Sequence, residues 1–221
     1  MEKAIFAWSG GKDSTLALHR VLLEKKYDVV SLLTTMSLDY DRISMHGVRR
    51  ELLEAQAETI GIPLKKVYVK TSPSNVEYEK KMSQTMLKFK SQGVNICIFG
   101  DIFLEDLRVW REEKLSQIGF TAHFPIWKID TLKLAKEFFD LNYKAKIAVV
   151  DTKAINQSFS GREFDQSFVD DLPKTADPCG ENGEFHSFVY SGPIFKKQLE
   201  IKTGEQIMRE NRFYYTDLLF K

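Results

Sequence analysis

The sequence predicts a doubly wound α/β fold, a parallel sheet with helices on both faces, followed by a small C-terminal α+β region. Two observations carry this. Up to about Val150, short apolar or β-branched runs alternate with longer stretches of helical period, the pattern of parallel strands joined by crossover helices. Beyond Asp151 the rhythm turns to polar and aromatic residues among turn formers. With 221 residues the chain has room for one large domain or a larger one with a companion, and the division is placed at 1–151 and 152–221.

The elements follow in order. Ala4 to Trp8 opens as a strand, and Leu18, Val21 and Leu22 mark one face of the helix after it. Val29 to Thr35 is the second strand, followed by a helix face of Leu53, Ala57 and Ile60. Leu64 to Val69 is the third, followed by Tyr78, Met82, Met86 and Phe89 at helical steps. Asn95 to Gly100 is the fourth, covered by Leu107, Trp110, Leu115 and Ile118. Leu134, Phe138 and Leu141 then lead to a fifth candidate, Lys146 to Val150. The last stretch reads as antiparallel strands around a turn at Lys202-Thr203-Gly204.

Composition excludes several classes. Lys and Arg number 32 against 31 Asp and Glu, so no bulk field draws the chain to nucleic acid or anionic lipid. Twelve Gly and six Pro are too few for a fibrous or low-complexity chain. Cys97 and Cys179 make neither a disulfide framework nor a zinc ligand set. The run from Ala4 to Trp8 is too short for a signal segment, and no apolar run approaches about 18 residues. The expectation is a cytoplasmic protein without membrane contact.

Ser9-Gly10-Gly11-Lys12-Asp13-Ser14 directly follows the first strand and opens the first helix. Paired glycines let the backbone bend tightly and bring its N–H groups to a phosphate, while the helix start aims its unpaired amides at the same point. Ser9 and Ser14 add hydroxyls, Lys12 a mobile cation, and Asp13 a hard oxygen ligand for Mg²⁺ or a helix cap. The spacing is not that of a Walker A loop. A phosphate-binding reading requires that this bend not be filled by a side chain of the chain itself.

Asp177-Pro178-Cys179-Gly180-Glu181-Asn182-Gly183-Glu184-Phe185-His186-Ser187-Phe188 places two carboxylates and an imidazole around a Gly-rich turn. On its own the segment fits either a site for an amine, carboxylate or metal, or a solvated hairpin bending at Asn182-Gly183.

Together the two segments resemble the diphthine–ammonia ligase family, whose members carry an SGGKDS pyrophosphate loop and a Gly-Glu-x-Gly-Glu-Phe-His-Thr motif, Ser187 standing here for the Thr. Gly100-Asp101-Ile102 with the following helix, and Met45-His46-Gly47, resemble further family segments, so the likeness runs from the first strand to about Ser191. The resemblance implies an N-type ATP pyrophosphatase (PP-loop, adenine nucleotide alpha hydrolase-like) domain of HUP-like fold. It implies a ligase that adenylates a carboxylate, the diphthine of elongation factor 2, and joins it to ammonia, with ATP and Mg²⁺ as cofactors and AMP and pyrophosphate as products. The same half-reactions would serve a small-molecule carboxylate. A tRNA-modifying PP-loop enzyme would need a sulfur-carrying Cys near the loop and a basic face, both lacking here, and a non-catalytic nucleotide sensor fits the second motif poorly.

In an open α/β sheet the ligand lies beyond the carboxyl ends of the strands. The expected nucleotide contacts are therefore Trp8, Ser9, Gly10, Gly11, Lys12, Asp13, Ser14, Thr35, Met36, Gly100 and Asp101. Lys12, Asp13, Glu184 and His186 are the candidate catalytic residues, with Asp13 also the metal ligand. His46, Glu105, Arg108, Glu181, Glu184 and His186 are candidates for the acceptor, though Glu105, Arg108 and Glu112 also read as a helical ion-pair ladder. The C-terminal aromatics Phe213, Tyr214, Tyr215 and Phe220 read as strand, core or homodimer contact.

Overall fold

In the computed structural model, which describes residues 1–44, 46–70 and 75–221, strand β1 (Glu2–Ala7) is the middle of a parallel sheet ordered β3-β2-β1-β4-β5. The other strands are β2 (Tyr27–Ser37), β3 (Leu64–Val69), β4 (Ile96–Ile98) and β5 (Thr121–His123). Met45 of the Met45-His46-Gly47 segment lies outside the described residues. Ala4, Ile5 and Phe6 are fully buried, as a central parallel strand covered on both faces requires.

Helices α1 (Lys12–Glu24) and α2 (Arg50–Ile60) carry the chain outward to β3, and α3 (Asn75–Lys90) and α4 (Glu105–Gln117) carry it back across to β5. Leu16, Leu18, Leu52 and Leu53 pack with Phe6 on one face, while Met86 and Leu115 pack with Ile5, Leu33 and Cys97 on the other. The strand order therefore reverses between β1 and β4, and a crevice opens at the carboxyl ends of those two strands.

Helix α5 (Thr131–Asp140), capped by Asp130, leads to β6 (Lys144–Asp151). Here the structure corrects the sequence reading. β6 is not a member of the parallel sheet; it runs antiparallel to β7 (Phe185–Ser191) and β9 (Phe213–Phe220) in a second sheet ordered β7-β6-β9-β8, with β8 at Ile201–Arg209. Its residues from Ile147 to Asp151 are all buried, and a continuous apolar run reports burial without direction.

The hairpin turn is corrected as well. β8 runs straight through Gly204 with an irregular register, and the chain reverses at Glu210 and Asn211, whose φ values of 52° and 50° are those of a type I′ turn. The short helix α6 (Gln166–Asp171) is capped by Asp165. Among the described residues no helix is long and apolar enough to cross a membrane.

Candidate active site

The loop after β1 is shaped by its glycines. Gly10 sits at φ +76°, and a Cβ there would come within 2.8 Å of the Gln56 amide oxygen. Gly100, at the end of β4, brings its backbone onto the first turn of α1, where a Cβ would lie 2.8 Å from the backbone nitrogen of Ser14. The Ser9 and Ser14 hydroxyls meet at 3.0 Å and brace the loop from within.

Two loop amides already have partners in the chain. Gly11 N–H donates to Ser9 Oγ at 3.2 Å, and Lys12 N–H donates to Ser187 Oγ at 3.1 Å. The expectation of an unfilled bend is thus met only in part. The amides of Asp13 and Ser14 follow in the first turn of α1, where helix geometry provides no intrahelical acceptor.

Lys12 departs further from expectation, because its side chain is held rather than mobile. The residue is 2% exposed, and its Nζ donates to Asp13 Oδ2 at 2.8 Å and to the Cys179 carbonyl, with the Phe185 ring 5.0 Å away. Burial opposes its charge, but the adjoining Asp13 carboxylate prevails and its pKa lies above the usual lysine value. Asp13 Oδ1 is buried without a hydrogen-bond partner.

The second motif folds as a tight loop between α6 and β7. Asp177 Oδ1 accepts from the amides of Cys179 and Glu181 at 2.9 and 3.2 Å. Glu184 Oε1 accepts from Asp177 N–H at 2.8 Å and from the Asn182 amide at 3.1 Å, stitching the turn shut from inside. Glu181 points the other way, accepting from Ile102 and Phe103 N–H at 2.7 and 3.3 Å and so joining the second sheet to the loop after β4. Burial pushes its carboxyl up to about 7 despite those amides.

His186 projects from β7 to meet His46 from the β2–α2 connection, with ring centroids 4.3 Å apart and planes 35° from parallel. Burial, with Lys12 nearby, lowers His186 to about 4. Burial, His186 and Lys12 also hold His46 well below the usual imidazole range. His46 Nδ1 is buried without a hydrogen-bond partner.

These groups share one cavity of about 900 Å³. Its walls include the loop from Gly11 to Ser14, Thr35 at the end of β2, Gly100 and Asp101 after β4, and Glu181, His186 and His46. The walls come from both sheets, so neither half of the chain makes the site alone.

Two family models cover nearly the whole chain. Residues 2–122 match the diphthamide synthase N-terminal domain and residues 130–217 match the diphthamide synthase C-terminal domain. The chain belongs to the diphthamide synthase family. It is 22% identical to a diphthine–ammonia ligase of Homo sapiens and 24% identical to one of Rattus norvegicus, in each case over 90% of this chain and 83% of the relative. Membership in this family of ATP-dependent ligases implies ATP as the nucleotide.

Against this diphthamide synthase frame, the expected site residues divide. Trp8, Ser9, Gly11, Lys12, Asp13, Ser14, Thr35, His46, Gly100, Asp101, Glu181 and His186 line the cavity. Within that set, the Trp8 indole donates to Gln56 Oε1 at 2.8 Å inside the core, and Asp101 is ion-paired with Arg111 at 2.7 Å. Gly10, Met36, Glu184, Glu105 and Arg108 are not in the wall. The Gly10 carbonyl accepts from Gln56 and from Val189 N–H. Met36 is fully buried, because strand alternation turns it away from the face that Thr35 presents. Glu105 pairs with Lys128 on the surface at 3.3 Å, and Arg108 pairs with Glu112 at 2.8 Å as a helical ladder while lying over the Trp127 ring.

Several wall or support residues were not singled out from sequence. Gln56 is fully buried among Leu52, Leu53 and Ala57, and a lone amide on an apolar helix face was the available signal. Arg212, paired with Asp151 at 2.5 Å, reaches the wall from beside the β8–β9 turn, and nothing local distinguishes it from solvated surface. Tyr78, Met82 and Trp110 were read as packing positions, yet they line a lobe of the cavity between α3 and α4.

Proposed function

We propose that the cavity is an adenylation site in which ATP activates a carboxylate for amidation by ammonia. The carrying observation is the single cavity that joins the first turn of α1 to Glu181 and His186. Phosphates would lie at the Asp13 and Ser14 amides, with Ser9 and Ser14 hydroxyls beside them and the Lys12 charge behind, a preorganised field for charge growing on pyrophosphate. The unpaired Asp13 Oδ1 fits a hard cation that takes one or two carboxylates and completes its shell with phosphate oxygens and water, so Asp13 would hold Mg²⁺. Bound there, Mg²⁺ supplies charge neutralisation on the phosphates. Among the described residues no cluster of three or more His, Cys, Asp or Glu is placed to hold a metal without such help.

The acceptor carboxylate oxygen attacks the α-phosphorus and pyrophosphate leaves; ammonia then attacks the carbonyl carbon, AMP leaves and the nitrogen loses a proton. Of the carboxylates proposed from sequence, Glu181 fits proton acceptance best, since it lines the cavity with a pKa near neutrality. Glu184, turned into its own loop, serves to shape that loop. In this reading the acceptor is diphthine, by likeness to the mammalian ligases, carried on elongation factor 2 as the sequence resemblance implies, with the cytoplasm as the compartment proposed from the sequence.

A small-molecule carboxylate is the second reading. A cavity of about 900 Å³, near the top of the range for small-ligand pockets at roughly 300–1,000 Å³, has room for such an acceptor beside the nucleotide. Isotope exchange between pyrophosphate and ATP, measured with diphthine-bearing elongation factor 2 and with a panel of small carboxylates, tests both. Exchange with AMP as final product supports adenylation, and release of ADP rejects it.

A further inference from the structure

The connection carrying His46 is braced from outside by the last strand of the chain. Within the connection, Arg42 and Arg49 form an isolated antiparallel bridge, and Ile43 N–H donates to the Val48 carbonyl at 2.8 Å. Asp217 on β9 then takes both arginines. Its Oδ1 accepts from Arg42 Nη1 at 2.8 Å and Arg49 Nε at 3.0 Å, and its Oδ2 accepts from Arg49 Nη2 at 2.7 Å. The same Arg42 Nη1 donates to the carbonyl of Gly47, the residue after His46, at 2.8 Å.

Tyr215, two residues before Asp217 and on the same face of β9, completes the brace. Its ring lies so close to Gly47 that a Cβ there would stand 2.7 Å from it. Gly47 itself has φ +67°, so both its conformation and its contact require glycine. Arg209 on β8 covers the outer side of Tyr215 at 5.7 Å and stacks on Tyr40 at 4.7 Å. Inside the brace, His46 lies against His186 and 3.6 Å from where a Gly11 Cβ would be.

We propose that Asp217 and Tyr215 are positioning residues that seat the His46 ring against His186 beside the phosphate loop, so that the C-terminal strand is a working part of the site. The consequence for turnover rests on the adenylation reading above; the seating of the ring does not.

The test uses the full chain labelled with ¹⁵N-histidine, whose four imidazoles are His19, His46, His123 and His186. Asp217→Asn removes the carboxylate charge, and Gly47→Ala pushes on Tyr215 while leaving every ion pair in place. Both variants are expected to move the imidazole resonances of His46 and His186 and to leave those of His19 and His123 where they were. With an accepted carboxylate, kcat should fall on the order of 10²-fold, the scale of an ångström-sized misplacement, with little change in KM for ATP. Unmoved His46 and His186 resonances in both variants, or equal movement of all four, overturns the inference. Shifted His46 and His186 resonances in a protein that exchanges no pyrophosphate would uphold the positioning and reject the adenylation reading instead.

Discussion

The hydroxyl of Ser187 accepts the backbone N–H of Lys12 at 3.1 Å, joining the start of α1 to β7 across 175 residues of sequence. Two residues back, the Gly10 carbonyl accepts from Val189 N–H at 2.9 Å. The loop after β1 is therefore stitched to the second sheet as well as to its own helix. Ser187→Ala removes the acceptor and leaves a helix-terminal N–H unpaired, so a loss of about 1 kcal/mol is expected. Urea denaturation measures it; an unchanged midpoint would show that the contact contributes nothing.

How much of this was legible follows from which signals are local. The strand, bend and helix from Ala4 onward were readable because apolar run, paired glycines and helical period succeed one another without a gap. Arg108 and Glu112 were readable as a ladder from their four-residue spacing alone. The fate of Lys12 was not, since the Cys179 carbonyl and the Phe164 and Phe185 rings that bury it come from the far end of the chain. Direction was also invisible for β6, and β5 spans only three residues with none fully buried. The final strands looked generic because Asp217 and Tyr215 act through partners in the β2–α2 connection, with no spacing pattern to mark them.

Gly100→Ala should strike the proposed nucleotide site from behind. The added methyl would meet the backbone nitrogen and Cα of Ser14 at 2.8 Å, and neither can swing aside as a side-chain tip can. The start of α1 must shift, carrying its amides with it. Calorimetric titration with ATP should show binding weakened at least tenfold, a loss of about 1.4 kcal/mol or more; unchanged affinity would place the phosphates elsewhere.

Glu184 and Glu181 should separate on substitution. Glu184→Gln keeps an amide oxygen for Asp177 N–H and Asn182, so folding and turnover should hold close to the parent. Glu184→Ala leaves the Asp177 amide unsatisfied and should cost about 1–3 kcal/mol. Glu181→Gln also keeps an acceptor for Ile102 and Phe103 N–H but removes the titrating base, so amide formation should fall roughly 10²–10⁴-fold while pyrophosphate exchange persists. Kinetics of the two half-reactions in each variant decide the assignment, and equal behaviour of the two glutamines would defeat it.

The same carboxyl predicts two pH dependences of opposite sign. Burial raises Glu181 from 4.5 to about 7, so the folded state binds its proton more tightly than the unfolded chain does. Its contribution to stability therefore diminishes as pH rises from about 4.5 to about 7. Proton acceptance needs the ionised form, so the rate of amide formation should climb through the same neutral region. A rate profile that is flat from pH 6 to 8 in the parent protein, or unaltered by Glu181→Gln, removes Glu181 from the proposed chemistry.

Asp217 gives the ordinary acid dependence. Burial alone would raise its pKa, but hydrogen bonds from Arg49 and Arg42 outweigh that and bring it from 3.8 down to about 2. A lowered folded pKa means the stabilisation is complete above about 4 and disappears as pH falls toward 2. Asp217→Asn should thus be less stable than the parent at pH 7, by about 2–3 kcal/mol for hydrogen bonds to charged groups, and the gap should close as the solution is acidified through that window. Thermal unfolding of both proteins across the pH range measures the gap. A difference that stayed constant down to pH 2 would mean that the asparagine acts through altered packing of β9 rather than through loss of the charge that holds Arg42 and Arg49.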